Sequence, residues 1–145
     1  MLRPPFVVLL VEDNEHDIVA IKRAWQEQAI GAPLCIVADG EACLDYLYRR
    51  GSYSTPGAAP RPGLLILDLN MPKIDGLTVL KHIRGDAALR RLPVVILTTS
   101  RLAEDRMHSY ELGANAYIHK PSGFAPLAEA LQIIHRFWTL ADLPE

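Results

Sequence analysis

The chain is expected to fold as an α/β protein, a doubly wound parallel sheet of five strands with five helices. Three observations predict this. Short aliphatic runs at residues 6–11, 34–38, 64–67, 94–97 and 116–119 alternate with helix-length segments whose apolar residues recur every three or four positions. Most of the runs lack the polar alternation of a one-sided strand, as strands buried on both faces of a parallel sheet do. Parallel strands need crossover connections of one hand, and such crossovers put helices on both faces of the sheet.

Each element has its own signals. Phe6-Val7-Val8-Leu9-Leu10-Val11 is an apolar strand that ends in Glu12-Asp13-Asn14. A helix follows from about Glu15, with Asn14 as its cap and Ile18, Ile21 and Trp25 at helical spacing; Gly31 and Pro33 close it. Leu34-Cys35-Ile36-Val37-Ala38 is a short strand, Asp39-Gly40 a turn, and residues 41–50 a helix with Cys43, Leu44, Leu47 and Tyr48 on one side. Residues 51–63 hold too many prolines and glycines for regular structure and are expected to form an exposed insertion loop.

The central strand is Leu64-Leu65-Ile66-Leu67, and Asp68 stands at its carboxyl end before Leu69-Asn70-Met71-Pro72 and Asp75-Gly76. Residues 77–84 form a helix with Leu80 and Ile83 inward. Pro93 opens the strand Val94-Val95-Ile96-Leu97, which runs into Thr98-Thr99-Ser100. A thinly apolar helix spans 102–112 and stops at Gly113. The last strand, Ala116-Tyr117-Ile118-His119, leads into Lys120-Pro121, and the final helix covers 123–140.

Composition narrows the function. The 145 residues, 50% apolar and 22% charged, suit one well-packed core, and a single domain over 1–145 is expected, with a tail from about 141. A net charge of −2 and the lack of any basic run argue against nucleic acid as a direct partner. Residues 1–5 have no signal-peptide layout, and no apolar run approaches the roughly 18 residues that span a bilayer, so a cytoplasmic location is expected. Cys35 and Cys43 lack a CxxC spacing and read as reduced structural thiols; the five histidines show no ligand-pair spacing.

In a doubly wound sheet, ligands bind beyond the carboxyl ends of the strands. That edge collects Glu12 and Asp13, Asp68, Asn70, Thr98 and Lys120. Crowded carboxylates repel one another unless a cation intervenes. Mg²⁺ fits best, because it takes carboxylates, a backbone carbonyl, a phosphate oxygen and waters in octahedral geometry. Such a site suits phosphoryl transfer, with a carboxylate as nucleophile and Lys120 as a point charge on the phosphoryl oxygens.

These motifs, Glu12-Asp13, Asp68-Leu69-Asn70-Met71-Pro72 with Asp75-Gly76, Leu97-Thr98-Thr99-Ser100 and Lys120-Pro121, resemble the receiver domains of two-component response regulators (the CheY-like superfamily) over nearly the whole chain. The spacings fit too, with 30 positions from Asp68 to Thr98 and 52 to Lys120. The resemblance implies a flavodoxin-like (βα)5 fold with strand order 2-1-3-4-5. It implies that Asp68 accepts a phosphoryl group from a phosphohistidine of a sensor histidine kinase. Asp13, Asp68 and the Asn70 carbonyl would hold Mg²⁺, and Glu12 would reach the metal through water. Lys120 would contact the phosphoryl oxygens, and Pro121 would follow a cis peptide bond. Thr98 and Tyr117 would be the switch, the hydroxyl swinging to the phosphoryl group and the ring turning inward behind it.

Output is expected through protein contacts, since the chain stops about one turn past the last helix. That helix carries two apolar stripes, Phe124/Leu127/Leu131/Ile134/Trp138 and Ala130/Ile133/Phe137/Leu140, where packing on a sheet needs only one. A homodimer through Ile133, Phe137, Trp138 and Leu140 is the expected use of the second. The loop before the central strand, Leu97-Thr98-Thr99-Ser100 and the ending Phe137-Trp138-Thr139-Leu140-Ala141-Asp142-Leu143-Pro144 look like the small stand-alone regulators partnered with phytochrome-type kinases, which makes a bacteriophytochrome the expected donor. Two alternatives stand beside this reading. One is a phosphohydrolase of the haloacid dehalogenase type, although Asn70 stands where such enzymes carry an acid. The other is a shuttle that passes the phosphoryl group to a second histidine protein. As a regulator, the chain is expected to lose its own phosphoryl group slowly and to turn over no foreign ester.

Overall fold

A computed structural model describes residues 6–144; the expectations for residues 1–5 and for Glu145 lie outside it. Five strands, β1 (Val7–Val11), β2 (Leu34–Val37), β3 (Pro62–Leu67), β4 (Val94–Thr98) and β5 (Ala116–His119), form one parallel sheet in the order β2-β1-β3-β4-β5. Five helices alternate with them: α1 (Glu15–Glu27), α2 (Gly40–Tyr48), α3 (Gly76–Gly85), α4 (Ala103–Glu111) and α5 (Phe124–Leu140). The expected class and strand order are therefore observed, and most element ends fall within two residues of their expected places.

Side-chain alternation along the strands builds two cores. Leu9, Val11, Leu65, Leu67, Val94 and Ile96 face α2 and α3, meeting Leu44, Leu47, Val79, Leu80 and Ile83. Val8, Leu10, Leu64, Ile66, Val95 and Leu97 face α1 and α5, meeting Ile21, Trp25, Leu127, Leu131 and Ile134. Both faces are covered, so the strands carry unbroken apolar runs. At β3 these runs include four residues no more than 1% exposed, from Leu64 to Leu67.

Carboxylate and amide caps start three of the helices. Asn14 Oδ1 accepts from the Asp17 amide, Asp39 Oδ1 from Ala42 and Asp75 Oδ1 from Thr78, at 3.0, 2.7 and 2.8 Å. Register then aligns the strand ends: Val11 pairs with Leu67, Leu67 with Ile96, and Thr98 with His119. The residues that follow these pairs emerge side by side. At its other end β3 absorbs one extra residue. Val7 pairs with Pro62 and Val8 with Leu64, so Gly63 bulges out opposite Phe6, whose Cβ leaves room for no larger residue.

Three expectations change. Residues 51–63 are not a free loop: Gly51–Tyr53 forms a short 3-10 turn, Ala59 is buried, and Pro62 and Gly63 already belong to β3. The Tyr46 hydroxyl donates to the Pro60 carbonyl at 2.7 Å and Arg49 Nε to that of Ala59 at 3.1 Å. The breakers prevent helix and strand, but α2 supplies donors that pin the irregular path. The Lys120–Pro121 bond is trans, as is every peptide bond among the described residues; the trans preference before proline is only about 0.5–1 kcal/mol, too narrow for sequence to decide the isomer. Trp138, expected at an interface, is half-buried against the α1/α5 core, while Ile133, Phe137 and Leu140 are 57%, 60% and 86% exposed.

Two stabilising arrangements were not expected from sequence. Arg84, near the end of α3, donates to the carbonyls of Gly113, Arg90 and Leu92 and to Asn115 Oδ1, at 2.7–3.1 Å. It gathers the loops before β4 and β5 onto one guanidinium. His135 of α5 lies against the Phe6 and Trp25 rings, and this burial holds its pKa below the ordinary 6.5.

Replacing Arg84 with Ala removes the guanidinium donors from two part-buried carbonyls, those of Gly113 and Leu92, and is expected to lower the unfolding free energy by roughly 2–3 kcal/mol in urea titration. For His135 the folded state favours the neutral ring, so the unfolded chain binds protons more readily. Stability present above the ordinary value is therefore lost as pH falls through 6.5 towards the folded pKa. Thermal melts at pH 7.5 and 5.5 should show a larger fall for the wild type than for His135→Gln.

Candidate functional site

The site lies where the chain reverses direction in the sheet. β1 is flanked by β2 on one side and β3 on the other, so the crevice beyond the carboxyl ends of β1 and β3 is the switch point of the topology. Because Val11 and Leu67 are paired, Glu12 and Asp13 emerge beside Asp68. Each of Glu12, Asp13 and Asp68 offers a carboxylate oxygen within 4.8 Å of the other two. Glu12 is 1% exposed and Asp68 7%, whereas Asp13 faces solvent.

Lys120 neutralises part of this charge. Its Nζ is 2.7 Å from Glu12 Oε2 and 3.8 Å from Asp68 Oδ2, and the residue is 6% exposed. Thr98 holds it in place through the backbone, its carbonyl accepting from the Lys120 amide at 2.7 Å. Burial alone would push the lysine pKa down; hydrogen bonds to Glu12 and Asp17, with the field of the carboxylates, more than reverse that and hold it above the ordinary value. Burial raises the Glu12 pKa, and the Lys120 ammonium opposes the rise. The second Glu12 oxygen accepts from the Asn14 amide at 3.1 Å. Both Glu12 oxygens are thus engaged by protein donors.

The two oxygens of Asp68 differ. Oδ1 accepts from the Leu69 amide at 2.7 Å and, at a long 3.5 Å, from that of Asn70. Oδ2 is turned towards Lys120. The loop that follows is tied to its surroundings. Lys73, at φ 66°, lies 3.5 Å from Asp39 and 3.6 Å from Glu41, linking the loop to the start of α2. Gly76 packs directly on the Asp68 backbone, where a Cβ would collide with the Asp68 carbonyl.

Of the expected site residues, the structure gathers Glu12, Asp13, Asp68 and Lys120 into one pocket. Thr98 is fully buried at the end of β4, and its Oγ1 accepts from the Ser100 amide at 3.2 Å. Asn70 is exposed on the loop after Asp68. Tyr117 stands apart from the acids: its ring is half-buried and its hydroxyl donates to the Ser100 carbonyl at 3.2 Å. One residue escaped sequence reasoning. Asp17, in the first turn of α1, places Oδ2 2.9 Å from Lys120 Nζ. Its position four residues after Asp13 marks one helical turn and could have flagged it, but an acid there also suits a helix N-terminus. Both cysteines are free thiols; Cys43 is buried, and its pKa is pushed up to about 12 by desolvation and by Asp39.

The donor set is three hard oxygens that repel one another, and it fits a divalent cation. A (βα)5 sheet with an acid pocket and a lysine at its switch point defines a receiver-type domain. The chain belongs to the response regulator receiver domain family, whose model matches residues 8–132. It is 41% identical over 135 residues to the response regulator Rcp1 of Synechocystis sp. (strain ATCC 27184 / PCC 6803 / Kazusa), covering 93% of this chain and 90% of that protein. The Mn²⁺-bound form of Rcp1 superposes with a TM-score of 0.87 at 39% identity, covering 97% of this chain and all of that one. The phosphorylated cyanobacterial phytochrome response regulator RcpA superposes with a TM-score of 0.90 at 39% identity, over 98% of this chain and all of that one. Among the described residues, no helix is long and apolar enough to cross a membrane.

Gly76→Ala forces a methyl group against backbone rather than a flexible side chain, and is expected to lower stability by about 1–3 kcal/mol in urea titration. An unchanged midpoint would mean that the loop after Asp68 yields without resistance.

Proposed function

We propose that the chain acts as a response regulator, one receiver domain over residues 1–145, that accepts a phosphoryl group on Asp68 from a sensor histidine kinase. The observation that carries this reading is Asp68 Oδ2 facing the buried Lys120 ammonium at 3.8 Å, within an acid cluster whose oxygens lie inside 4.8 Å. Oδ2 is the nucleophile: it forms the new P–O bond as the P–N bond of the phosphohistidine breaks, and the imidazole leaves with the electron pair. The Leu69 amide on Oδ1 keeps the carboxylate oriented during the transfer. Lys120 donates to the phosphoryl oxygens and offsets their charge. Asp13, Asp68 and the Asn70 carbonyl would hold Mg²⁺, with Glu12 reaching it through water, and the ion would supply the remaining positive charge. The engagement of both Glu12 oxygens by protein donors supports the water-mediated role.

Thr98 and Tyr117 form the switch in this reading. The Thr98 hydroxyl leaves the Ser100 amide for the phosphoryl group, and Tyr117 gives up the Ser100 carbonyl to turn inward. The similarity to Rcp1 and RcpA supports a phytochrome-type kinase, a bacteriophytochrome, as donor. A cytoplasmic location and slow self-dephosphorylation belong to the same reading. The exposed stripe of Ile133, Phe137 and Leu140 supports a two-fold homodimer through α5, with the half-buried Trp138 behind it; Phe137 and Trp138 already stack edge to face at 5.0 Å.

Incubation with a small phosphodonor and Mg²⁺, read by intact mass, is expected to add one phosphoryl group to the wild type and none to Asp68→Asn; equal labelling of both would refute Asp68 as acceptor. In sedimentation, the wild type is expected at dimer mass and Phe137→Glu at monomer mass. Identical masses for the two would remove α5 as the interface.

A further inference from the structure

The Lys120 ammonium carries three N–H bonds, and three carboxylates surround it. Glu12 Oε2 is 2.7 Å away, Asp17 Oδ2 2.9 Å and Asp68 Oδ2 3.8 Å. Asp17 is not among the acids whose oxygens cluster closely enough to share a cation. Its side chain is 32% exposed while that of Lys120 is 5% exposed. Its backbone is fixed by the α1 cap, the Asp17 amide donating to Asn14 Oδ1 at 3.0 Å. The contact joins α1 to the far end of β5, 103 positions along the chain.

A lysine ends a flexible four-carbon stem, and an ammonium held by one partner still pivots about that contact. Two partners on separate elements remove the pivot. With Glu12 on β1's carboxyl end and Asp17 on α1 each taking one N–H, tetrahedral geometry leaves the third with a single direction.

We propose that Asp17 is a positioning residue for phosphoryl acceptance: together with Glu12 it orients the Lys120 ammonium so that its remaining N–H points at the oxygens of the group arriving on Asp68. The proposal rests on the reading of Asp68 as acceptor. Asp17 lies outside the acid cluster and acts through its contact with Lys120.

The test is the rate of phosphorylation by a small phosphodonor across a Mg²⁺ titration, for the full-length wild type, Asp17→Ala and Asp17→Asn. Asp17→Ala is expected to lower the maximal rate roughly tenfold, as loss of a positioning contact does, with the half-saturating Mg²⁺ concentration unchanged. Asp17→Asn keeps an acceptor oxygen at the same place and is expected to recover part of that loss. A maximal rate in Asp17→Ala equal to or above wild type overturns the proposal. So does a loss that comes entirely from a raised Mg²⁺ requirement, which would make Asp17 a contributor of charge to the metal instead. Should Asp17→Ala fail to fold, Asp17→Asn decides alone: a reduced maximal rate at unchanged Mg²⁺ dependence supports the role, and any other result removes it. Failure of the underlying reading looks different, because then the wild type takes up no phosphoryl group or Asp68→Asn takes up as much.

Discussion

Like charges brought together at the end of a sheet need a counter-charge, and in this chain much of the architecture follows from that requirement. Glu12, Asp13 and Asp68 are held close by the pairing of β1 with β3, a contact the apolar core enforces whatever the acids prefer. Lys120 answers part of the repulsion from inside the pocket. An ammonium so deeply buried is tolerated only when its N–H bonds are satisfied, and here Glu12 and Asp17 satisfy two of them. The charge left over is what makes the pocket receptive to a divalent cation.

Much of this was legible in the sequence because the same residues carry the local and the global signal. Unbroken aliphatic runs identified the strands, and the acids, hydroxyls and lysine at their ends fell on one edge once the strands were taken as parallel. Asn14 marked the start of the first helix at the correct turn, while Asp39 and Asp75, read as turn and loop residues, proved to be the caps of α2 and α3. What stayed hidden depends on long-range geometry. Asp17 reads locally as an acid in a first helical turn, and its partner Lys120 lies just beyond the end of β5. Arg84 looks like a basic residue closing α3, yet it gathers carbonyls from two separate loops. Residues 51–63 have the composition of a loose connection, but Tyr46 and Arg49 reach out of α2 to fasten them.

The two faces of the sheet divide the labour. α1 and α5 share one core, and α5 carries the exposed stripe of Ile133, Phe137 and Leu140 on its far side. α2 and α3 share the other, and the loop after Asp68 is clamped between them by Lys73 and by the close seat of Gly76. Asp17 ties the α1 layer to the pocket, so the helix that packs on α5 also holds the lysine.

The bulge at Gly63 has a consequence for how such a chain can diverge. A strand whose side chains alternate cannot accept a single added residue without turning its apolar set inside out. By letting one residue drop out of the ladder at the entrance of β3, Gly63 takes up that misfit far from the acids. The preceding connection can therefore lengthen or shorten while the Asp68 carboxylate keeps its address.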